Sequence, residues 1–235
     1  MSRVGNFSSS EIYRLMSKGR GNWSIDNTGK AFESYVKEKA FERKLGRPLQ
    51  NKVNAKATTW GTLVEEQCFN RLDLKYSLVS KDRYYHNDFS EYWSGMPDLI
   101  TPELVGDIKS PYTLTSFMEL LEAMTDAENL KKAKPQYYWQ LVSNAILCDR
   151  DIAVLVVYVP YKRDLAKIRE LAQEKIDSSN TYAWINWADD EELPYIPDDA
   201  ELLDANSFEF KVSDKDKQML NDRVELAINE LNKQL

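Results

Sequence analysis

The chain has 235 residues, of which 43% are hydrophobic, and a formal net charge of −7 at pH 7. A single histidine excludes any mechanism that needs two imidazoles, and two cysteines make neither a zinc site nor an iron–sulfur site. Neither a glycine-rich phosphate loop nor a Gly-x-Ser-x-Gly motif occurs, which counts against a nucleoside triphosphatase and an esterase. Cys68 and Cys148 lie among apolar neighbours, so we predict that both are buried and reduced.

The net charge is unevenly distributed along the chain. Residues 188–204 contain eight Asp and Glu residues and no Lys or Arg, which leaves a net charge of +1 for the remainder. A near-neutral body can still carry a basic channel, so the overall acidity does not exclude a nucleic-acid partner. No run of residues approaches the length of a membrane span, and the first residues lack the apolar core of a signal peptide.

The first fifty residues predict two helices. Ser8 and Glu11 have the spacing of a capping box at the start of the first helix. Serines at a helix start can instead bind an anion, because the free amide groups and the helix dipole favour negative charge. The cap is the simpler interpretation of the motif alone. A second helix is predicted over residues 28–43, and a polar connector over residues 51–57.

A third helix, predicted over residues 59–73, carries a carboxylate on its apolar side. At about 100° per residue, Glu65 falls between Leu72 and Phe69, whereas Glu66 falls on the polar side. A carboxylate directed into a core is costly unless it is paired or binds a metal ion. Glu65 is therefore a candidate metal ligand.

Residues 94–111 carry the clearest chemical signal, because they predict two short strands joined by a turn. Residues two apart share one face of a strand, so Asp107 and Lys109 project together, and Asp98 on the neighbouring strand can reach the same edge. Adjacent carboxylates repel unless a cation lies between them, and hard oxygen ligands select Mg²⁺ or Mn²⁺. The combination favours metal-assisted hydrolysis of a phosphodiester. The structural alternative is a solvated strand edge beside a Pro-Asp turn.

The remaining elements predict an α/β (α+β) fold with a central mixed sheet flanked by helices. Residues 152–159 form a continuous apolar run, as expected of a central strand covered on both faces. Further predictions are a strand-like run at residues 76–85, helices at residues 113–124, 136–147, 162–176 and 214–235, and a charged loop at residues 126–134. The chain is predicted to be one domain, with N-terminal helices in residues 1–57, a core in residues 58–177, and a C-terminal extension that holds the acidic loop 188–204 and the final helix 214–235.

Two features of this region have open interpretations. Lys131, Lys132 and Lys134 lie close together in the predicted loop. Such a cluster is most often solvated, but next to an active site it would contact a phosphate backbone. Gln140 lies about 100° around its predicted helix from the apolar Trp139, so the pattern does not decide whether it faces inward.

With these elements located, the sequence resembles the lambda-exonuclease family, the YqaJ-type viral recombinase branch of the PD-(D/E)xK nucleases. The matching segments occur in the same order from Arg3 to about Lys162, which is far more specific than a lone Asp-x-Lys motif. They are residues 3–11, residues 53–57, Trp60-Gly61 with Glu65, Pro97-Asp98, residues 107–111 and residues 138–140. The resemblance implies a restriction-endonuclease-like core.

The resemblance also implies a function. Members of the family digest one strand of double-stranded DNA from its 5′ end, processively and with Mg²⁺, and release 5′-mononucleotides. They leave a 3′ overhang for a single-strand annealing protein, and three subunits close into a ring around the DNA. For this chain the resemblance implies one or two Mg²⁺ (or Mn²⁺) ions per subunit, no membrane, and the cytoplasm of a phage-infected or prophage-bearing bacterium.

Individual residues acquire roles by the same resemblance. Asp98, Asp107 and the Ile108 carbonyl correspond to metal ligands, and Glu65 to a ligand of a second metal ion or its water. Lys109 would position the attacking water. The other matching positions are Gln140 next to the site, Arg3 and Ser10 at the terminal 5′-phosphate, and Lys56 near the DNA end.

The sequence departs from the family pattern in several places. Asp107 stands where a glutamate also occurs, and the shorter side chain would shift the metal ion slightly. Met96 stands where a phosphate-binding serine is expected before Pro97, and Ser94 is the candidate replacement. The acidic segment 188–204 has no counterpart, and we expect it to face away from the DNA and to dock a basic partner.

Two alternative functions remain at the level of sequence. One is another nuclease of the superfamily, either a restriction-type endonuclease or an end-processing enzyme, which would also cut closed circular DNA. The other is a non-catalytic DNA-binding recombination protein with a vestigial metal site, which would bind DNA ends without releasing products.

Overall fold

The structure is a computed structural model that describes residues 4–49, 56–72, 82–175 and 180–235. Its α-helices are α1 (Lys30–Leu45), α2 (Lys56–Arg71), α3 (Leu114–Ala123), α4 (Ala127–Ala133), α5 (Pro135–Leu147), α6 (Leu165–Glu174), α7 (Ala183–Trp187) and α8 (Asp214–Asn232). Its strands are β1 (Phe7–Ser8), β2 (Tyr84–Tyr85), β3 (Trp93–Gly95), β4 (Leu99–Ile100), β5 (Leu104–Lys109), β6 (Ile152–Tyr158) and β7 (Ala205–Lys211). A 3-10 helix (Ser9–Met16) follows β1 directly.

The larger sheet has the strand order β4-β5-β6-β7. Strands β5 and β6 run parallel, whereas β4 and β7 are antiparallel to their neighbours, so the sheet is mixed as the sequence predicted. The predicted hairpin is present, because β4 and β5 pair and the Thr101 amide donates to the Leu104 carbonyl at 2.8 Å.

Strand β6 lies between two hydrophobic cores and contributes side chains to both. Because successive side chains of a strand point to opposite faces, Ala153, Leu155 and Val157 enter the first core. Val154, Val156 and Tyr158 enter the second core. The first core includes residues of the 3-10 helix, α1, α5 and α8, and the second includes residues of α2, α6 and α7. The prediction of a central strand covered on both faces is confirmed.

Several helix predictions are confirmed, with shifted ends. Helix α1 ends at Leu45, where Gly46 adopts a left-handed conformation with φ +67°. Helix α5 begins with Pro135, which suits a first turn because its missing N–H has no partner to lose there. The Thr113 side chain accepts a hydrogen bond from the Ser116 amide and caps α3. Helix α2 begins at Lys56, earlier than predicted.

Other predictions need correction. Residues 126–134 are not a loop, because Asp126 caps helix α4 by accepting a hydrogen bond from the Asn129 amide at 2.8 Å. The helix predicted at residue 162 starts with a short 3-10 turn before α6. Strand β7 was not predicted. The expectations for residues 51–55 and 76–81 fall outside the described residues.

A smaller sheet, of order β1-β3-β2, joins the N-terminal segment to the rest of the fold. Strand β1 pairs in parallel with β3, and Ser8 lies opposite Ser94. Cys68 and Cys148 are buried and not disulfide-bonded, as predicted. Within the described ranges, no helix combines the length and the apolar character needed to cross a membrane.

Candidate active site

Asp107 and Lys109 lie together at the carboxyl end of β5, as strand alternation predicts. The Lys109 ammonium forms an ion pair with Asp107 Oδ2. Ile108, between them, points to the opposite face and packs in the second core. Asp107 is 1% exposed, so its side chain lies inside the protein rather than on a solvated strand edge.

Asp98 approaches this pair from the segment just before β4. Its amide donates to the Gly106 carbonyl at 3.1 Å, and its Oδ2 accepts from the Ile108 amide at 2.8 Å. Both bonds join Asp98 to β5, and they fix its carboxylate beside the strand that carries Asp107. Two acids nine positions apart in sequence therefore meet through the β4–β5 hairpin.

Gln140 faces inward from helix α5 and is 8% exposed. Its Nε2 donates a hydrogen bond to Asp107 Oδ1 at 2.8 Å. The sequence pattern had not decided whether Gln140 faces inward, and the structure shows that it does. One oxygen of Asp107 thus binds Gln140, and the other pairs with Lys109. The carboxylate is held in one orientation from two sides.

The electrostatics of the cluster oppose a second buried negative charge. Burial raises the pKa of the Asp98 carboxyl to about 9, and the charges of Asp107 and Glu65 act in the same direction. Burial acts to lower the pKa of the Lys109 ammonium, but the carboxylates of Asp107 and Asp98 outweigh it, and its pKa lies above the usual value. Asp98 therefore resists ionisation beside Asp107, and a divalent cation between the two carboxyl groups would favour its charged form.

Glu65 projects from α2, which packs on the second-core side of the larger sheet. It is partly buried, and its charge acts on both Asp98 and Cys68. Gly61, one turn earlier on the same helix face, would place a Cβ 3.9 Å from the Ser110 carbonyl, so α2 lies against the end of β5. The charge of Glu65 thus acts on Asp98, and the role of Glu65 as a metal ligand stays a prediction.

The side chains do not form a complete metal cage on their own. Among residues 4–49, 56–72, 82–175 and 180–235, no group of three or more His, Cys, Asp or Glu side chains has the geometry to hold a metal ion. The donor set nonetheless fits Mg²⁺ or Mn²⁺ chemically, because Asp98 and Asp107 are close carboxylates whose repulsion a cation would relieve. The Ile108 carbonyl and Glu65 remain predicted as the additional ligands.

A serine-lined pocket opens beside this cluster on the side of the first core. It has a volume of about 100 Å³. Its lining residues are Ser8, Ser9, Ser10, Arg83, Gly95, Met96 and Gln140. Because Gln140 lines the pocket and binds Asp107, the pocket and the carboxylate cluster share a wall.

The start of the 3-10 helix does not form the predicted capping box. The Ser8 side chain makes no cap hydrogen bond, and its Oγ lies 3.2 Å from Ser10 Oγ instead. Glu11 forms an ion pair with Arg14 and takes no part in a box. The capping-box interpretation is therefore wrong, and the helix start presents hydroxyl groups to the pocket. Arg3 lies outside the described residues.

Arg83 is a residue of this pocket that the sequence analysis missed. Its Nη1 donates to Ser94 Oγ at 3.3 Å, and its Nη2 lies 3.0 Å from the sulfur of Met96. Arg83 immediately precedes β2, which pairs with β3 and so brings the guanidinium to the serines. A basic residue next to a Tyr-Tyr strand was the only signal in the sequence, and it was not specific enough to identify the position.

The lysines proposed as DNA contacts have different surroundings. Lys131 binds Asp216 Oδ1 at 2.6 Å, and Lys134 binds Glu119 Oε2 at 2.7 Å. Lys132 is exposed, and so is Lys56 at the start of α2. The structure does not bring Lys131 or Lys134 to the carboxylates, and their role in DNA binding stays a prediction.

Comparison with solved structures places the fold among exonucleases. An alkaline exonuclease (LHK-Exo) from Laribacter hongkongensis matches with a TM-score of 0.63 and 16% identity, over 98% of this chain and 90% of that chain. A structure of LHK-Exo in complex with dAMP matches with the same TM-score and 14% identity, over the same shares of the two chains. A phage-related exonuclease from Haemophilus somnus 129PT matches with a TM-score of 0.63 and 16% identity, over 97% of this chain and 94% of that chain.

No protein-family model and no curated protein sequence matches this chain. The agreement with the solved structures covers nearly all of the chain, including the strands that carry the acids and the helix that carries Gln140. The chain therefore has the fold of these exonucleases, and the resemblance inferred from the sequence is confirmed at the level of the fold.

Proposed function

We propose that this protein is a Mg²⁺-dependent exonuclease that digests one strand of double-stranded DNA in the 5′-to-3′ direction and releases 5′-mononucleotides. The observation that carries the proposal is the orientation of Asp107 between Lys109 and Gln140, with Asp98 beside it. A buried acid pair with one ammonium and an amide donor is poorly suited to stability alone, because two close carboxylates repel each other. The arrangement is suited to phosphodiester hydrolysis.

The residues of the cluster would share the work of the reaction. Asp98 and Asp107 would hold the cation, and Gln140 would fix the orientation of Asp107. The ion, when bound, stabilises charge on the phosphate and increases the acidity of a coordinated water. Lys109 would donate a hydrogen bond that orients the water for attack on phosphorus. The water oxygen bonds to phosphorus, the P–O3′ bond breaks, and the 3′-oxygen of the released nucleotide takes a proton. The new 5′-phosphate stays on the shortened strand, and the nucleotide leaves with the former terminal phosphate.

The serine-lined pocket supports the choice of a DNA end as substrate. A terminal phosphate carries up to two negative charges, and hydroxyl groups with a guanidinium are suitable partners for it. Arg83 supplies the guanidinium where the family's serine is replaced by Met96, and Ser94 holds Arg83 from behind. Binding the end there would fix which phosphodiester bond reaches Asp107. The solved complex of LHK-Exo with dAMP shows that a related fold accommodates a mononucleotide.

The biological setting follows from the same proposal. The 3′ overhang left by the reaction would be passed to a single-strand annealing protein for recombination, in the cytoplasm of the phage-bearing cell. A homotrimeric ring would keep the enzyme on the duplex between successive cuts.

A time course on linear duplex DNA tests the proposal. We expect 5′-mononucleotides from 5′-phosphorylated ends with Mg²⁺, slower release from 5′-hydroxyl ends, and no release with a chelator. Lys109→Ala should abolish cleavage and retain the circular dichroism spectrum. Mg²⁺ should raise the melting temperature of the wild type and not that of Asp98→Asn, since a ligand stabilises only the state that binds it.

Two results would contradict the proposal. Cutting of closed circular duplex would identify an endonuclease instead. Binding of DNA ends without any product, at every Mg²⁺ and Mn²⁺ concentration, would identify a non-catalytic binding protein.

A further inference from the structure

Two aromatic side chains and one lysine form a surface cluster beside the end of β5, and we call Tyr112, Trp184 and Lys56 the aromatic platform. The rings of Tyr112 and Trp184 meet edge to face, with centroids 6.0 Å apart. The Lys56 ammonium lies 5.0 Å from the centroid of the Trp184 ring. Both aromatic residues are partly exposed, and Lys56 is exposed.

The platform is held in place from below. Trp184 Nε1 donates to Thr59 Oγ1 at 3.0 Å, and Thr59 is 5% exposed. Both aromatic side chains also pack against the second core. Their orientation is therefore fixed before any ligand arrives, while part of each ring remains open to solvent.

The platform lies within a few nucleotides of the proposed reaction centre. Tyr112 follows Lys109 by three residues, so their Cα atoms are at most about 10 Å apart. Thr59, which anchors Trp184, precedes Glu65 by six residues of α2, or about 9 Å along the helix axis. Consecutive nucleotides of one strand of duplex DNA are about 3.4 Å apart along its axis. A strand that crosses the carboxylates can therefore reach the aromatic rings.

The platform and the serine-lined pocket lie on opposite sides of the larger sheet. The serines and Gln140 belong to elements of the first core, whereas Trp184 and Tyr112 pack on the second. A 5′ end bound among the serines would leave the platform for a different part of the DNA. Bringing that end to Asp107 also unpairs it, which exposes bases of the complementary strand.

The charges around the platform favour a base over a phosphate. On one side stands Lys56. On the other side, the Tyr112 hydroxyl makes a long hydrogen bond of 3.5 Å to the Glu192 carbonyl, within the acidic segment 188–204. Phosphates are repelled by this segment and attracted by Lys56, whereas an uncharged base can stack on the rings between them. The acidic segment thus passes beside the end of β5, so the expectation that it faces away from the DNA does not hold at Glu192.

We infer that the aromatic platform binds an unpaired nucleobase of the strand that is not digested, the 3′-ended single strand left by the reaction. This inference rests on the proposed function, because it assigns the platform a place in that substrate. Stacking on Trp184 and Tyr112 would hold the growing single strand away from the carboxylates. It would also prevent the strand from pairing again with the end under attack.

Binding of a 5′-hydroxyl oligo(dT) in EDTA tests the inference separately from cleavage. Trp184→Ala and Tyr112→Ala should each weaken binding about 10-fold, the size of one lost base–aromatic contact. Tyr112→Phe should bind as the wild type does. Trp187→Ala is the matched control, because Trp187 lies on the same helix and is 86% exposed. An oligonucleotide of abasic sites should bind the wild type and the alanine variants equally.

The outcomes separate this inference from the proposed function. Normal binding by Tyr112→Ala, with cleavage of duplex DNA intact, would overturn the platform and leave the exonuclease proposal standing. If the wild type never cleaves DNA but Trp184→Ala and Tyr112→Ala lose affinity for oligo(dT), the exonuclease proposal fails and the platform stands. If Trp184→Ala melts early, Tyr112→Leu replaces it, because Tyr112 makes no hydrogen bond to α2 among the described contacts. An equal loss for the abasic strand would also contradict base stacking.

Discussion

Gln140 shows how a single amide can control a buried acid. It takes one oxygen of Asp107, so that the other oxygen faces Lys109. We expect Gln140→Ala to lower kcat by about 10- to 100-fold, the range seen when the partner of a metal ligand is removed. The Mg²⁺ concentration for half-maximal activity should rise as well. Gln140→Glu should be worse, since it replaces a donor with a second charge.

Lys215→Ala is a control for Gln140, because Lys215 is exposed on helix α8 and has no described contact with the carboxylates. Steady-state rates at several Mg²⁺ concentrations measure both effects. An unchanged Mg²⁺ dependence in Gln140→Ala would mean that the amide only fills space.

Arg83 should determine the preference for 5′-phosphorylated DNA ends. If its guanidinium binds the terminal phosphate, Arg83→Ala should reduce the ratio of rates on 5′-phosphorylated and 5′-hydroxyl ends by about 10-fold. Arg83→Lys should keep part of that ratio, because an ammonium keeps the charge but loses the planar pair of donors. Initial rates on the two substrates give the ratio directly. Equal loss on both substrates would assign Arg83 to folding.

The sequence could predict the acids but not this arginine. Asp107 and Lys109 are two residues apart on one strand, so their meeting follows from strand geometry. The position of Asp98 beside them follows from a hairpin, which is also a local structure. Arg83 reaches the serines only because β2 and β1 both pair with β3, and such short strands have too few residues for any periodicity.

Helix α8 is fastened to the rest of the fold by Asp216. The Tyr138 hydroxyl donates to its Oδ2 at 2.7 Å, and the Lys131 ammonium donates to its Oδ1 at 2.6 Å. Burial acts to raise the pKa of this carboxyl, but the hydrogen bonds from Lys131 and Tyr138 outweigh it and hold the pKa below the usual value. The carboxylate therefore adds stability above the unfolded-state pKa of about 3.9 and loses it as pH falls through the folded-state pKa.

Asp216→Asn should lower the free energy of unfolding by about 2 kcal/mol at pH 7, because the Tyr138 hydroxyl and the partly exposed Lys131 ammonium lose a charged acceptor. The difference from the wild type should shrink as pH falls below about 4. Urea unfolding at several pH values measures it. Asp214→Asn, exposed in the first turn of the same helix, is the matched control. A difference that stays constant down to pH 2 would exclude the ionic contribution.

Two elements, helix α4 and strand β7, were not predicted because their local sequence patterns were ambiguous. Three lysines made residues 126–134 look like a solvated loop, although Asp126 had the position of a helix cap. Lys131 finds its partner 85 positions later, and a long-range pair of that kind leaves no local trace. Strand β7 is partly exposed and polar at alternate positions, so its edge position in the sheet hid it.

The charge distribution of the whole chain bears on assembly. Residues 1–56 contain twelve Lys and Arg against five Asp and Glu, whereas residues 188–204 contain eight Asp and Glu and no Lys or Arg. In a head-to-tail ring each subunit presents two different surfaces, and surfaces of opposite charge suit such a contact. We expect a trimer of about 82 kDa from subunits of 27.3 kDa, which dissociates as salt is raised. Light scattering after gel filtration at 0.1 M and 1 M salt measures this, and a monomer at low salt would exclude the ring.

Strand β6 has a consequence for how the protein comes apart. Alternate side chains of β6 belong to different cores. If one core unfolds, one face of β6 becomes exposed, and the other core loses the support of that strand. Strand β5, which carries Asp107 and Lys109, pairs directly with β6. The active-site geometry is therefore lost when either core unfolds. Heating should therefore reveal cooperativity across the entire molecule, with aromatic ellipticity, backbone ellipticity and residual enzymatic rate declining on one shared curve.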